Sequence, residues 1–159
     1  MPGDVLGEDL ETIYYIRSES AFGIAQTRGR LEVVKGWITR CDPYLRSIGD
    51  VIGSPQEADT IYLGQQEVPV RKIAGSVGRE KEFSQHFYPL SRSPRQRERW
   101  RLTYALSLAG KRFPPIDVCK VGGTYYVLNG HHRVSVARYL NWRTVHAHVS
   151  ELVLCGAAP

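Results

Sequence analysis

Two adjacent glycines between short apolar segments constrain the fold most strongly. Gly122 and Gly123 separate residues 115–118 from residues 125–128, and both segments are rich in valine, isoleucine, leucine and tyrosine. Glycine supplies the positive φ that a tight turn between antiparallel strands requires. The pattern therefore predicts a β-hairpin. The spacing after the hairpin predicts a helix over about residues 131–140, which Asn141 can end in the left-handed conformation.

The second strand of this hairpin leads through Asn129 and Gly130 directly into the predicted helix. Such a junction exposes the first N–H groups of the helix, and these groups together with the helix dipole favour an anion. Gly130 allows a ligand to approach the backbone closely, and Arg133 can bind phosphate oxygens through two N–H groups. His131 and His132 can donate hydrogen bonds or transfer protons near neutral pH. The local sequence is equally compatible with an ordinary helix start that carries two surface histidines.

Before the hairpin, Ser93 and Pro94 predict the start of another helix, with Gln96 closing a capping box and Gly110 marking the end. Four arginines lie in its first two turns at i,i+4 spacing, and they could contact nucleic-acid phosphates. The alternative is a solvated face that Glu98 partly neutralises. These candidate nucleic-acid-binding residues are Arg95, Arg97, Arg99 and Arg101.

The N-terminal part of the chain shows helical spacing of apolar residues, which predicts a helix over about residues 20–39. Residues 49–66 are rich in glycine, serine, proline and glutamine, and we interpret them as a connector. Short strands are predicted at 68–70 with Ile73, followed by a loop over 74–79, and at 145–149 near the end. We therefore divide the chain into an N-terminal helical region with its connector, 1–65, and a second domain, 66–159. Because the stripe of Leu31, Val34 and Ile38 needs a cover, we expect it to pack either on the rest of the chain or in a homodimer, and we favour the homodimer.

The run 113–138, FPPIDVCKVGGTYYVLNGHHRVSVAR, resembles the core box of ParB-like N-terminal domains. Residues 68–79 are similar to the opening strand and loop of the same ParB/sulfiredoxin superfamily. The resemblance covers about residues 68–152 and implies a fold of the α/β (α+β) class. That fold is a small mixed sheet with packed helices, here preceded by the N-terminal helical region.

Members of this superfamily hold nucleotide phosphates at the loop that matches residues 129–133. Partition ParB proteins bind CTP and DNA, sulfiredoxins bind ATP, and some relatives are described as nucleases. The resemblance thus implies a nucleotide ligand of the CTP, ATP or ADP class with Mg²⁺, and phosphoryl-transfer or NTP-hydrolysing activity. One alternative is a nucleic-acid-binding or nuclease protein that contacts DNA through the arginine helix as well as the loop. The other is a non-catalytic regulatory or interaction module. The implied ligand-binding residues are Asn129, Gly130, His131, His132 and Arg133, with Ser76 and Arg79 from the loop after the first strand.

Two departures from the family pattern narrow the possible reactions. His131 stands where sulfiredoxins carry their reactive cysteine, so we expect no sulfiredoxin activity. Asn129 stands where many relatives have aspartate, which weakens a hydrolytic or kinase interpretation. The candidate catalytic residues are His131, His132 and Glu80, the last as the nearest carboxylate for a general base.

Composition sets broader limits on partners and location. The net charge of +5 permits a polyanionic partner without requiring one. No apolar run approaches the roughly 18 residues of a membrane span, and the first residues lack the pattern of a secretory signal. The three cysteines form no C-x-x-C pair, and His146 and His148 have no carboxylate at suitable spacing. We expect a cytoplasmic protein without a metal site or a membrane partner.

Overall fold

The computed structural model describes residues 4–53 and 58–154, which form a mixed α/β structure with one six-stranded sheet. Two short 3₁₀ turns, Val70–Lys72 and Glu80–Glu82, connect elements in the first half of the sheet. In chain order the elements are α1 (Asp4–Thr39), β1 (Arg46–Ser47), α2 (Gly49–Ile52), β2 (Ala58–Pro69), β3 (Ile73–Ser76), α3 (Pro94–Leu108), β4 (Ile116–Val121), β5 (Thr124–Asn129), α4 (His131–Tyr139) and β6 (Thr144–Leu154).

The sheet runs in the order β1-β3-β5-β4-β6-β2. β4 and β5 form the antiparallel hairpin that the sequence predicts, and Gly122 in its turn has a φ of 60°. β3 pairs parallel with β5, and β6 pairs parallel with β4, so the hairpin lies at the centre of the sheet. The mixed α/β fold class is confirmed. Because β5 is a central strand, α4 starts at the middle of the side of the sheet on which β5 ends.

Buried side chains of the central strands and of α4 form the main core. Val118, Val127 and Val149 come from three neighbouring strands, and Val134 of α4 packs on them. Phe83 and Phe87, from the segment between β3 and α3, close the same cluster. Burying each such side chain stabilises the fold by roughly 1.5–3 kcal/mol, so this cluster fixes α4 against the sheet.

A second apolar cluster holds α1 against α3 and α4. Phe22 of α1 meets Trp100 of α3 edge to face, with ring centroids 5.6 Å apart. The Trp100 indole N–H donates to Ser135 Oγ at 2.9 Å, which satisfies the one polar atom that this buried ring carries. Ala21 and Ala25 let the two helices approach closely. α1 is therefore part of the packed structure along its middle third.

Several predicted boundaries were wrong. α1 begins at Asp4, sixteen residues before the predicted start. Ion pairs of Glu11 and Glu19 and packing on α3 stabilise this first part of the helix, whose exposed face carries both polar and apolar residues. The supposed connector at 49–66 contains α2 and most of β2. β2 is an edge strand in which only Val68 is fully buried, so it lacks an apolar alternation. β6 extends five residues beyond its predicted end. The division into 1–65 and 66–159 stays a prediction.

The capping box predicted at the start of α3 was also wrong. Ser93 occupies the position before the first helical residue, and Pro94 is that first residue, as predicted. The Ser93 side chain makes no capping hydrogen bond, however. The amide oxygen of Gln96 accepts a hydrogen bond from Arg79 at 3.0 Å instead of reaching back to Ser93. The hydrogen bond with Arg79 thus replaces the capping contact that the local pattern predicted for Gln96.

Within the described ranges, no helix combines the length and the apolarity that crossing a lipid bilayer requires.

Gly75 lies where β3 passes between β1 and β5, and we expect Gly75→Ala to destabilise the fold. An added Cβ would lie 2.2 Å from Tyr126 Cδ1 and 2.7 Å from the Arg46 carbonyl oxygen. Overpacking of this kind costs about 2 kcal/mol or more. The matched control is Gly123→Ala, since a Cβ there meets open space and should change stability by less than about 0.5 kcal/mol. Urea unfolding of both variants would measure the difference, and equal stabilities would contradict the packing described.

Candidate functional site

A groove of about 260 Å³ lies at the junction of β5 and α4, and we call it the Gly130 groove. Four separate segments contribute to its wall: the loop after β3, one face of α3, Phe113 in the segment between α3 and β4, and the β5–α4 junction. Its lining residues are Arg79, Arg99, Leu102, Thr103, Leu106, Phe113, Asn129, Gly130, His131, His132 and Arg133. Of the predicted ligand-binding residues, all but Ser76 line this groove.

Gly130 makes the sharp junction between β5 and α4 possible. It has a φ of 105°, and a Cβ at this position would lie 2.4 Å from Ile116 Cγ2. The Gly130 carbonyl accepts the first intrahelical hydrogen bond, from the Val134 N–H at 3.1 Å. The N–H groups of the residues between them have no acceptor within the helix. Together with the helix dipole they give this end of α4 a partial positive charge.

His131 is oriented by a buried hydrogen bond to Ser76. Its Nε2 lies 2.7 Å from Ser76 Oγ, and the Arg79 backbone N–H donates to the same oxygen at 3.2 Å. Since Oγ already accepts from Arg79, the arrangement that uses its proton is donation from Ser76 O–H to Nε2. The imidazole then carries its own proton on Nδ1. This nitrogen has no hydrogen-bond partner among the described residues, and His131 is one of the residues that line the groove.

Both histidines are held in the neutral form. Burial, with Arg79 and His132 beside it, lowers the pKa of His131 to about 4, against a smaller opposing effect of Glu80. Burial, Arg79 and Arg99 lower the pKa of His132 to about 4 as well. Phe83 stacks on His131 with centroids 6.0 Å apart and meets His132 edge to face at 5.8 Å. At pH 7 the rings are therefore fixed hydrogen-bonding groups and weak bases.

The three arginines of the groove differ in how far they are already engaged. Arg79 pairs with Glu82 and donates to Gln96, so its charge is partly compensated. Arg133 donates through Nη1 to the Pro114 carbonyl oxygen, which anchors the guanidinium beside Gly130. Arg99 is exposed and makes no ion pair with any described residue. It is the least compensated positive charge of the groove.

Glu80 does not line the Gly130 groove. Its Oε1 accepts a hydrogen bond from the Gly78 N–H at 2.9 Å, and the residue lines a different groove of about 400 Å³. That second surface also contains Asp42, Asp50 and Glu82. The structure thus places the predicted general base outside the groove into which the histidines face. Its catalytic role stays a prediction.

The four arginines of α3 divide into two pairs with different surroundings. Arg97 forms an ion pair with Glu19 at 2.8 Å, and Arg101 donates to Ser18 Oγ and covers the Tyr15 ring. These two arginines hold α1 in place. Arg95 and Arg99 lie on the other side of the helix, and only Arg99 reaches the Gly130 groove. The packing of α1 distinguishes the two pairs, and contact of these arginines with nucleic acid stays a prediction.

Two features of this region were not predicted from the sequence: the apolar part of the Gly130 groove, and a neighbouring groove on the side of Phe113 and Arg133. Leu102 and Leu106 share a face of α3 with Arg99, a signal that helical spacing could have given. The second groove, of about 480 Å³, shares Phe113 and Arg133 with the first, and we call it the Trp142 groove. Its lining residues are Ser107, Lys111, Arg112, Phe113, Pro114, Ile116, Arg133, Trp142, Thr144, Val145 and His146.

The two remaining histidines of interest make separate contacts. His146 lies 3.6 Å from a Glu67 carboxylate oxygen, and His148 Nδ1 lies 2.7 Å from the Tyr62 hydroxyl. Over residues 4–53 and 58–154, no three histidine, cysteine or acidic side chains are grouped so as to hold a metal ion.

Comparison with known proteins gives one distant structural relation. No family model and no curated protein matches the chain. Among solved structures, a sulfiredoxin from Arabidopsis thaliana matches with 28% identity, over 54% of this chain and 82% of that chain. The TM-score is 0.36, so this likeness carries no argument about activity.

The neutral state of His131 predicts a loss of stability in acid. The unfolded state binds a proton below pH 6.5 and the folded state only near pH 4, so the unfolding free energy falls as pH drops from 6.5 to 4. For His131, which is 2% exposed, the loss is on the order of 2 kcal/mol by pH 4.5. Urea unfolding across this range, with His131→Gln as the comparison, measures the effect. A variant with the same pH slope as the parent would show that His131 does not cause it.

Proposed function

We propose that this chain binds a nucleotide through its phosphates in the Gly130 groove. One observation carries the proposal: the groove combines three arginines with the free N–H groups of α4, and none of its described lining residues is acidic. Neutral His131 and His132 add hydrogen-bond donors without adding charge. The run 129–133 also resembles the phosphate-holding loop of the ParB/sulfiredoxin superfamily.

The lowered pKa values of the histidines support an anionic ligand. Burial is the main cause, but Arg79 lowers the pKa of both histidines and Arg99 lowers that of His132, so the imidazoles lie in a positive potential. A phosphate bound between these groups supplies the missing negative charge. The same bound charge would raise the pKa of both histidines toward neutrality. Binding should therefore be accompanied by proton uptake in mildly acidic solution.

The apolar lining beside the arginines favours a nucleotide over inorganic phosphate alone. Leu102, Leu106 and Phe113 lie next to the cationic residues in the same groove. A phosphate chain at Gly130 would leave its nucleoside close to this apolar surface. We propose ATP, ADP or CTP as the ligand class, with Mg²⁺ bound to the phosphates of the nucleotide.

The site is better suited to binding than to catalysis. Ser76 is fully buried, so its hydroxyl orients His131 and does not face a substrate. Histidines with a pKa of about 4 accept protons poorly at pH 7. Phosphoryl transfer or NTP hydrolysis would require the bound phosphate to raise these values first. Sulfiredoxin chemistry is not proposed, because Cys119 lies on β4 and burial raises the pKa of its thiol.

Titration calorimetry with ATP, ADP and CTP, with and without Mg²⁺, tests the proposal. We expect Arg99→Ala to weaken binding about tenfold, because the variant loses one charge-assisted contact. Arg95→Ala is the matched control, since Arg95 lies one turn earlier on α3 and does not line the groove. Absence of binding at millimolar nucleotide, or equal effects of the two variants, would reject the site. Absence of binding would favour the interpretation as a non-catalytic module with a degenerate pocket, whereas equal effects would place the nucleotide elsewhere on the chain.

Single-stranded nucleic acid is the second candidate ligand, and the Trp142 groove is the observation that favours it. Trp142 is 43% exposed, and Lys111, Arg112 and His146 line the same surface. Exposed aromatic rings stack on bases while neighbouring cations bind phosphates, without sequence preference. Because Arg133 borders both grooves, a strand could run from one into the other.

Fluorescence anisotropy with a labelled single-stranded oligonucleotide tests this second candidate. Arg112→Ala should weaken binding. It should also make the slope of log affinity against log salt concentration less negative by about 0.7, because one phosphate contact is lost. Arg71→Ala, at an exposed arginine in the turn after β2, should leave affinity closer to that of the parent chain. If both variants behave alike, the Trp142 groove does not bind the strand.

A further inference from the structure

α1 leaves one apolar face without a partner in the described structure. It has 36 residues and is therefore about 54 Å long, and one face of it, which carries Tyr15, Phe22 and Arg28, packs on α3 and α4. Six large apolar residues on another face are 47–78% exposed. We call these residues the α1 stripe: Leu10, Ile13, Ile24, Leu31, Val34 and Ile38.

The α1 stripe follows the spacing of a coiled-coil seam. Positions 10, 13, 17, 20, 24, 27, 31, 34 and 38 alternate steps of three and four residues along the helix. This repeat keeps one line of side chains facing a second helix. The stripe fills six of the nine positions, and Arg17, Ser20 and Thr27 fill the other three. The polar residues lie in the middle, so both ends of the seam are apolar.

The exposed area is large enough for a stable dimer. Ile16 and Trp37 flank the seam and are also exposed, which makes eight large apolar side chains on this side of α1. At roughly 100 Å² each, two copies would bury on the order of 1,500 Å², within the range of specific interfaces. Large exposed apolar side chains at both ends of one seam are typical of an interaction surface.

The charge distribution along α1 fits a second copy in the opposite direction. Residues 7–21 carry four acids and one arginine, a net −3, whereas residues 22–39 carry three cations and one acid, a net +2. Glu8 and Asp9 near one end, and Arg30 and Lys35 near the other, form no ion pairs with described residues. A parallel pair would place like charges side by side and Arg17 against Arg17. An antiparallel pair places each acidic end beside a basic one.

We propose that two copies of this chain associate through the α1 stripe as an antiparallel helix pair. The register that opposes apolar residues pairs Ile13 with Leu31 of the second copy, and Leu10 with Val34. Arg17 then lies opposite Thr27, where its charge meets no like charge. Gly23 falls next to the two-fold axis, and its exposed Cα surface allows the helices to approach closely. A symmetric contact of this kind closes on itself as a dimer.

Light scattering of the full chain over 5–200 µM tests the proposal directly. We expect a mass of about 36 kDa, twice the 18.0 kDa chain, and we expect Leu31→Glu to shift it to the monomer. Val51→Glu is the control, because Val51 is a similarly exposed apolar residue on α2. A monomeric parent chain would overturn the proposal. So would a dimer that survives Leu31→Glu, which would place the contact elsewhere, for example at the β2 edge.

Disulfide cross-linking distinguishes the two orientations without relying on a disruptive variant. Ile13→Cys and Leu31→Cys are introduced separately into full-length chains in which Cys41 and Cys155 are replaced by serine. An antiparallel pair should cross-link efficiently when the two variants are mixed and poorly when either is alone. Self-linking of Ile13→Cys chains would instead show a parallel pair. Absence of cross-linking in every combination would also contradict the antiparallel register.

Discussion

The buried hydrogen bond between Ser76 and His131 joins the end of β3 to the start of α4. β3 reaches this position because it pairs with β5, and α4 reaches it because Gly130 turns the chain directly out of β5. The bond fixes the orientation of the imidazole, which lines the Gly130 groove. Arg79 donates its backbone N–H to the same Ser76 oxygen, so the loop that carries Arg79 depends on this contact as well. Strand pairing, helix start and groove thus share one buried polar connection.

The burial of this connection also explains why the groove carries positive charge although neither of its histidines is protonated at neutral pH. Burial makes an imidazolium costly, Arg79 adds to that cost at both histidines and Arg99 at His132, so both rings stay neutral. The positive charge of the groove resides on guanidinium groups, which remain protonated even when partly buried. Such a site attracts an anion by charge and orients it by neutral donors. Transfer of a proton would require the ligand to change the pKa of the histidines first.

α3 serves two surfaces at once, and this division links the groove to the N-terminal helix. Arg97 and Arg101 face α1, and Trp100 lies at the centre of the apolar cluster between the helices. Arg99, Leu102 and Leu106 face the Gly130 groove. A displacement of α3 caused by movement of α1 would therefore also displace the residues of α3 that line the groove. The α1 stripe points away from both surfaces, so an association through it leaves the groove open.

The sequence by itself determined the features that depend on neighbours along the chain. The Gly122-Gly123 turn, the Gly130 junction, the Pro94 helix start and the Asn141 helix end each follow from the conformations that a few adjacent residues can adopt. Only the tertiary structure decided which distant residues meet: Arg79 and Arg99 beside Gly130, Glu80 in another groove, and Arg97 and Arg101 against α1. It also decided that residues 58–69 form an edge strand and that α1 begins at Asp4. Those outcomes depend on sheet order and helix packing, which bring together residues far apart along the chain, and a local sequence pattern contains no information about such contacts.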